Sequence, residues 1–322
     1  MMKFLILLTF FINLNANELI KLHVSKNHTF IVFIESISGA TYVSEVPKKI
    51  YLSKYKNDIE KFAQLHQEIS KSRIKKHPKT RSLLKAMYLE SLQTKTFQEF
   101  ERKMKSFDVE ISQQKFIKYF IYLNKLYPRF EQILWNKTHK GLLYRKGKLE
   151  KIMKTKQFHL KIEKVLHFYG VKLDKIGVMD IAFYPISYGN NIHAYSMGNI
   201  ETIGIFVGKN QDLIWILSAT ILHELSHSIY RKSIIVQQNF LNIKDKKRNR
   251  TINEVMATAI GAGWGYNSLT NKYSLRPWYN NKTYNKFGKK VYPKVKSYIN
   301  NDRVIDEEFV RYIKGLLWLK VK

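Results

Sequence analysis

The chain has 322 residues, no cysteine and a formal net charge of +31. That length can bury a substantial core unaided, and the missing thiols argue against disulfides, thiolate-held zinc and a lipidated cysteine anchor. The charge favours anionic partners (lipid headgroups, cell-wall polymers, nucleic acid or acidic substrates), although the plentiful Lys, Ile and Asn are also what an AT-rich genome produces.

Met1-Met2-Lys3, the apolar run Phe4 to Ile12 and then Asn13-Leu14-Asn15-Ala16 predict a secretory signal peptide over 1–16, cut after Ala16, with an uncleaved anchor as the alternative because Leu14 is not ideal at the −3 position. The apolar run is too short to span a bilayer comfortably, and the mature chain is expected to be exported, periplasmic or secreted. From Asn17 to Val46, short apolar stretches such as Phe30-Ile31-Val32-Phe33-Ile34 fit strand and helix equally. From about Asn57 to Phe168 the spacing predicts helices, notably Ile111 to Leu134 and Leu149 to Phe168, with breaks at His77-Pro78 and Tyr127-Pro128. This region suits a substrate-binding subdomain, an inhibitory segment or a partner module.

Val178 to Ile186 and Thr202 to Val207 read as strands, with Asn190 to Met197 extended between them at a sheet edge. Such an edge can hold an extended peptide, and His193 is there as a substrate contact or an ordinary strand side chain. The elements predict an α+β chain: signal peptide over 1–16, a mainly helical region over 17–170, and a domain over 171–322 with a small sheet and one long buried helix.

That helix, Gln211 to Lys232, has no Gly or Pro and carries apolar residues around most of its surface. Within it stands His223-Glu224-Leu225-Ser226-His227. Residues four apart on a helix share a face, so both imidazoles can close on one zinc ion, with Glu224 in reach of a water beside it. Burying His223, Glu224 and His227 together is costly unless something pairs with them, and a metal would. Tyr230 and Ser233 occupy the places where a metzincin has its Gly and third His, so that class is excluded. No His or Cys follows His227, which leaves Asp245, Glu254, Asp302, Asp306, Glu307 and Glu308 as downstream third ligands. Asp245 sits in a charged stretch expected to be a solvated loop, and the last four form an acidic cluster expected at the surface. Glu254 opens a run of small and apolar residues, where a lone carboxylate needs a partner. The alternative is a capping box, with Thr251 as N-cap and Glu254 three residues on.

With these residues the chain resembles the gluzincin group of zinc metallopeptidases, in which H-E-x-x-H is followed by a helix bearing a Glu ligand, often as N-E-x-x-A. Asn253 to Ile299 also resembles uncharacterised bacterial proteins taken to be gluzincins. The resemblance spans roughly Gly177 to Ile299 and implies a zincin-like catalytic domain over 171–322, with His223, His227 and Glu254 as Zn2+ ligands and Glu224 as general base. Many gluzincins have an Asp four residues after the ligand Glu to orient the first His. Here that place is Thr258, whose hydroxyl is expected to take the imidazole N–H without a charge. Gluzincins also often stabilise the oxyanion with a Tyr or His from the following domain. Tyr266, Tyr279, Tyr284 and Arg276 are the candidates, Tyr279 and Tyr284 ranked first.

The expected activity is zinc-dependent hydrolysis of a peptide or protein substrate, with Glu224 taking a proton from water and passing it to the leaving amine. The alternative is a non-catalytic zinc-containing basic protein on an anionic membrane or cell-wall surface. Retention of Glu224 favours the enzyme. Nucleic acid is not expected as a partner, since no nucleic-acid motif is present.

Overall fold

A computed structural model describes residues 19–40, 48, 59–186, 193–197, 200–207, 213–241, 245–274, 277–279 and 281–318. The expected signal peptide over 1–16 lies outside them. Among the described residues, four strands form one sheet in the order β1 (Ile20–His23), β2 (Met179–Ile186), β4 (Ile200–Phe206), β3 (His193–Met197). β2 runs parallel to β1 and β4, and β3 is an antiparallel edge strand on β4. The strands expected at 178–186 and 202–207 are thus present, and the extended stretch is an edge strand from His193 onward.

The alternation of side chains along each strand splits the core in two. Met179, Ile181 and Phe183 of β2, with Ile203 and Ile205 of β4, face one helical layer. Ala182, Tyr184 and Ile186, with Ile200, face the other. On that second face Tyr184 lies over Gly204, its register partner, where an added Cβ would sit 2.8 Å from the phenol.

The second face is covered by α1 (Lys26–Ile37), α2 (Ile59–Lys71), α3 (Leu83–Gln93), α4 (Phe97–Lys105) and α5 (Gln113–Phe130). The ambiguous stretch Phe30 to Ile34 is the middle of α1. Every residue from Asn27 to Ile37 is buried, so no polar face marks the helical period, and Ser25 caps the start by accepting from the His28 amide. Pro128 does not end its helix, contrary to expectation. α5 runs through it, and the chain then widens into a π-type turn over Glu131–Trp135. Such turns absorb a missing backbone donor without breaking the axis.

The first face is covered by α6 (Asn136–Met153), α7 (Lys156–Phe168), α8 (Leu213–Tyr230), α9 (Lys246–Thr258), α10 (Lys282–Asn300) and α11 (Glu307–Trp318). The helix expected over 149–168 is therefore two, divided where Thr155 caps α7 by accepting from the Phe158 amide. β1 and the α6–α7 pair join the sheet and core that hold α8, so chain on both sides of residue 170 builds them. Among the described residues, no helix is long and apolar enough to cross a membrane.

Candidate metal centre

α8 lies against the sheet with both histidines and Glu224 among its buried residues. Its far side is tied down by Tyr169, whose hydroxyl bonds that of Ser226 at 2.9 Å. α9 brings Glu254 across from the opposite wall. Asp245 is its N-cap, accepting from the amides of Lys247 and Arg248 at 3.0 and 3.1 Å. The basic run 246–250, expected as a loop, is therefore the first part of a helix. Thr251 lies inside that helix and donates its hydroxyl to the Lys247 carbonyl at 2.9 Å, so the capping box is absent and Glu254 is free of that duty.

α9 continues through a π-type turn over Ala259–Gly265 and a last helical piece, Tyr266–Thr270. Gly261 in that turn sets how closely the two walls meet. A Cβ there would lie 2.5 Å from His223 Cβ and 2.7 Å from the Ala219 carbonyl oxygen, so only glycine lets α9 approach the ligand helix.

The result is three donor atoms around one point. The Nε2 atoms of His223 and His227 are 3.1 Å apart. Glu254 Oε2 is 3.9 Å from the first and 3.6 Å from the second. His227 donates from Nδ1 to Asn253 Oδ1 at 2.9 Å, while the His223 ring N–H is directed at the Ala257 carbonyl. With the other nitrogen of each ring engaged, the two Nε2 atoms face each other and the carboxylate oxygen lies beside them. Glu254 Oε2 is buried without a hydrogen-bond partner. Burial, then the neighbouring His227, holds His223 well below the ordinary histidine range.

A point equidistant from three atoms so spaced lies about 2.1 Å from each, within the usual zinc–nitrogen and zinc–oxygen bond lengths. These three side chains are the group among the described residues that could hold a metal ion.

Asn253 and Ala257 thus orient the imidazoles. Thr258 does not: its hydroxyl is buried without a partner and its methyl group packs on Gly288 of α10. Tyr279 reaches the site, its ring stacked on His223 at 5.8 Å and 30°. Burial, and next the Glu254 carboxylate, push its phenol well above the usual tyrosine range, so it stays a neutral donor. Tyr284, in the first turn of α10, packs edge-on against Tyr279 at 5.3 Å rather than on the ligands. Among the described residues no contact links Tyr266 to the ligand set, and Arg276 lies outside them. His193 is on the edge strand.

Glu201 escaped the sequence reading. It lies on β4, is 1 % exposed, accepts from the Ser196 hydroxyl at 2.6 Å, and is near enough for its charge to act on Glu224. Burial first, then the Glu201 charge, raise the Glu224 carboxyl well above the usual carboxylate range. Its signal was available in Ile200-Glu201-Thr202-Ile203, a lone carboxylate in an apolar strand, but starting that strand at Thr202 left it out.

Comparison of the chain with protein families, curated proteins and solved structures finds no match.

Proposed function

We propose that this chain is an exported zinc-dependent peptide hydrolase. The observation that carries this reading is the convergence of His223 Nε2, His227 Nε2 and the unpartnered Glu254 Oε2, with Glu224 next along the helix. Two imidazoles and one carboxylate leave a fourth position open, which is the donor set of a catalytic zinc rather than a closed structural one.

Zinc held by His223, His227 and Glu254 would supply Lewis acidity towards a water and the scissile carbonyl. Glu224 takes the proton of the attacking water and gives it to the leaving amine. The Tyr279 hydroxyl, neutral and close to Glu254, is the donor for the oxyanion. Tyr284 supports Tyr279 by ring packing. The edge strand β3 supports an extended peptide as substrate, with backbone bonding giving loose sequence preference. Export rests on residues 1–16, and an anionic membrane or cell-wall surface as a second partner rests on the excess of 56 basic over 25 acidic side chains.

The test compares wild type with Glu224→Gln on a mixed peptide library read by mass spectrometry. Wild type should produce cleavage products. Glu224→Gln should keep its zinc and lose cleavage by at least about a hundredfold. Cleavage retained by the variant would remove the mechanism, and zinc without cleavage in wild type would favour a non-catalytic zinc protein.

A further inference from the structure

The outer face of α6 is not simply polar. Leu142, Leu149 and Met153 point into the core that also holds α8, on which α6 packs directly. On the opposite side, at the three- and four-residue spacing of one helical face, stand Lys137, Lys140, Leu143, Tyr144, Lys148 and Lys151, all exposed. Leu143 is 52 % and Tyr144 60 % exposed, side by side in the middle of that row. The face is open. A Cβ added at Gly147, one turn further along it, would meet no atom within 4 Å. The lysines flank the apolar pair at both ends, and Lys148 Nζ lies 5.5 Å from the centre of the Tyr144 ring. Glu150, the one carboxylate of the helix, is paired with Lys146 at 2.5 Å, so the outer lysines have no acidic partner on their own helix.

We propose that this face of α6 docks on an anionic lipid bilayer, with Leu143 and Tyr144 seated among the headgroups and the lysines on the lipid phosphates. The proposal rests on the anionic-surface reading given above and gives that surface a place on the molecule. A soluble polyanion would engage the lysines alone and would gain nothing from two adjacent apolar side chains. A bilayer interface takes both kinds of group in one plane. Lysine stems lie along the acyl boundary while their ammonium groups stay with the phosphates, and a tyrosine ring sits between the apolar and the wet layer. Each lysine close to such a surface strengthens binding by about fivefold. Because α6 packs on α8, docking through this face brings the candidate metal centre to the lipid surface.

Co-sedimentation of the protein with vesicles of equal parts phosphatidylglycerol and phosphatidylcholine tests this, with pure phosphatidylcholine vesicles and soluble polyglutamate as the other arms. Wild type is compared with Lys140→Gln/Lys148→Gln, with Leu143→Ser/Tyr144→Ser, and with Lys76→Gln/Lys79→Gln, which removes the same charge from two exposed lysines of another basic run. Wild type should bind the acidic vesicles at least about tenfold more tightly than the neutral ones and lose that preference as salt rises. Each α6 pair should weaken acidic-vesicle binding by about tenfold or more, and the control pair by less than about threefold. Leu143→Ser/Tyr144→Ser should leave polyglutamate binding unchanged.

Wild-type binding to acidic vesicles no tighter than to neutral ones would overturn the proposal and the lipid partner with it. A clear acidic preference that the α6 pairs leave intact, or that the control pair lowers as much, would keep the anionic-surface reading and overturn the assignment to this face. A loss in the lysine pair with none in the apolar pair would make the occupant a polyanion and overturn the bilayer. If Leu143→Ser/Tyr144→Ser lowers the melting temperature, Gly147→Glu decides, since it sets a negative charge on the same face where a Cβ meets nothing. It should weaken acidic-vesicle binding by about tenfold or more, and unchanged binding would overturn the proposal. No arm depends on peptide cleavage, so the hydrolase reading stands or falls separately.

Discussion

Gly261 is the position where the two helices that carry the proposed ligands depend on a single missing atom. Its neighbours in any Cβ clash are the Cα and Cβ of His223 and the Ala219 carbonyl, none of them the flexible end of a side chain. Gly261→Ala is therefore expected to force the helices apart, lowering stability by about 1–3 kcal/mol and weakening metal binding with it. Gly147→Ala is the control, because a Cβ at that helical glycine meets nothing within 4 Å. It should be neutral or stabilising by up to about 1 kcal/mol. Thermal melts and a zinc titration of the two variants check both. Equal behaviour would show that the close approach at Gly261 does not hold the site. The three side chains that converge were legible as candidates in the sequence because their spacing is local: His223 and His227 share one helical face, and Glu254 is an isolated carboxylate among small residues. Asn253, the Ala257 carbonyl and Glu201 were not, because their roles depend on how α9 and β4 pack against α8, which no local spacing records.

At the scale of elements, α9 is the wall that carries Glu254, the proposed third ligand, and its start is set by Asp245. Asp245→Ala should cost about 1 kcal/mol through the lost cap, with zinc content unchanged, since Glu254 lies more than two turns further on. Had the capping box been present, Thr251→Ala would carry that loss instead; chemical denaturation of the two variants tells them apart. α10 and α11 are joined by Arg303, which bonds Asp306 at 2.8 Å and Glu308 at 2.9 Å, and by an ion pair between Lys294 and Glu308. Hydrogen bonds from Lys294 first, then Arg303, bring the Glu308 carboxyl down from 4.5 to about 2. A depressed carboxyl stabilises the fold above its unfolded value and loses that contribution as pH falls through its folded value. The melting temperature of wild type should thus exceed that of Glu308→Gln at pH 7 and converge with it between pH 4.5 and about 2. The gap should also shrink in salt, because the group is exposed. A gap that persists at pH 2 would contradict the assignment. Most helices and the two inner strands could be read from periodicity, while α1 could not, since burial on all sides erases the period. Pro128 misled because a proline marks a break only where the following turn cannot widen.

The whole molecule is a sheet between two helical layers, with the candidate site confined to one of them. Its order places β1, near the start of the chain, beside β2, more than 150 residues later, so that α6 and α7 join α8 in one core. A division near residue 170 is what composition suggests, helix-rich before and mixed after. Strand pairing across so long a separation leaves no trace in local spacing. What the architecture accomplishes for function is to bring two helices, one pressed on the sheet and one packed across it, close enough for three donor atoms to face one point. Metal analysis of the purified protein tests that convergence most directly. Wild type should carry about one zinc per chain, and His223→Ala, His227→Ala and Glu254→Ala should each lose most of it while remaining folded. Full zinc occupancy in Glu254→Ala, or none in wild type after dialysis against zinc, would contradict the account.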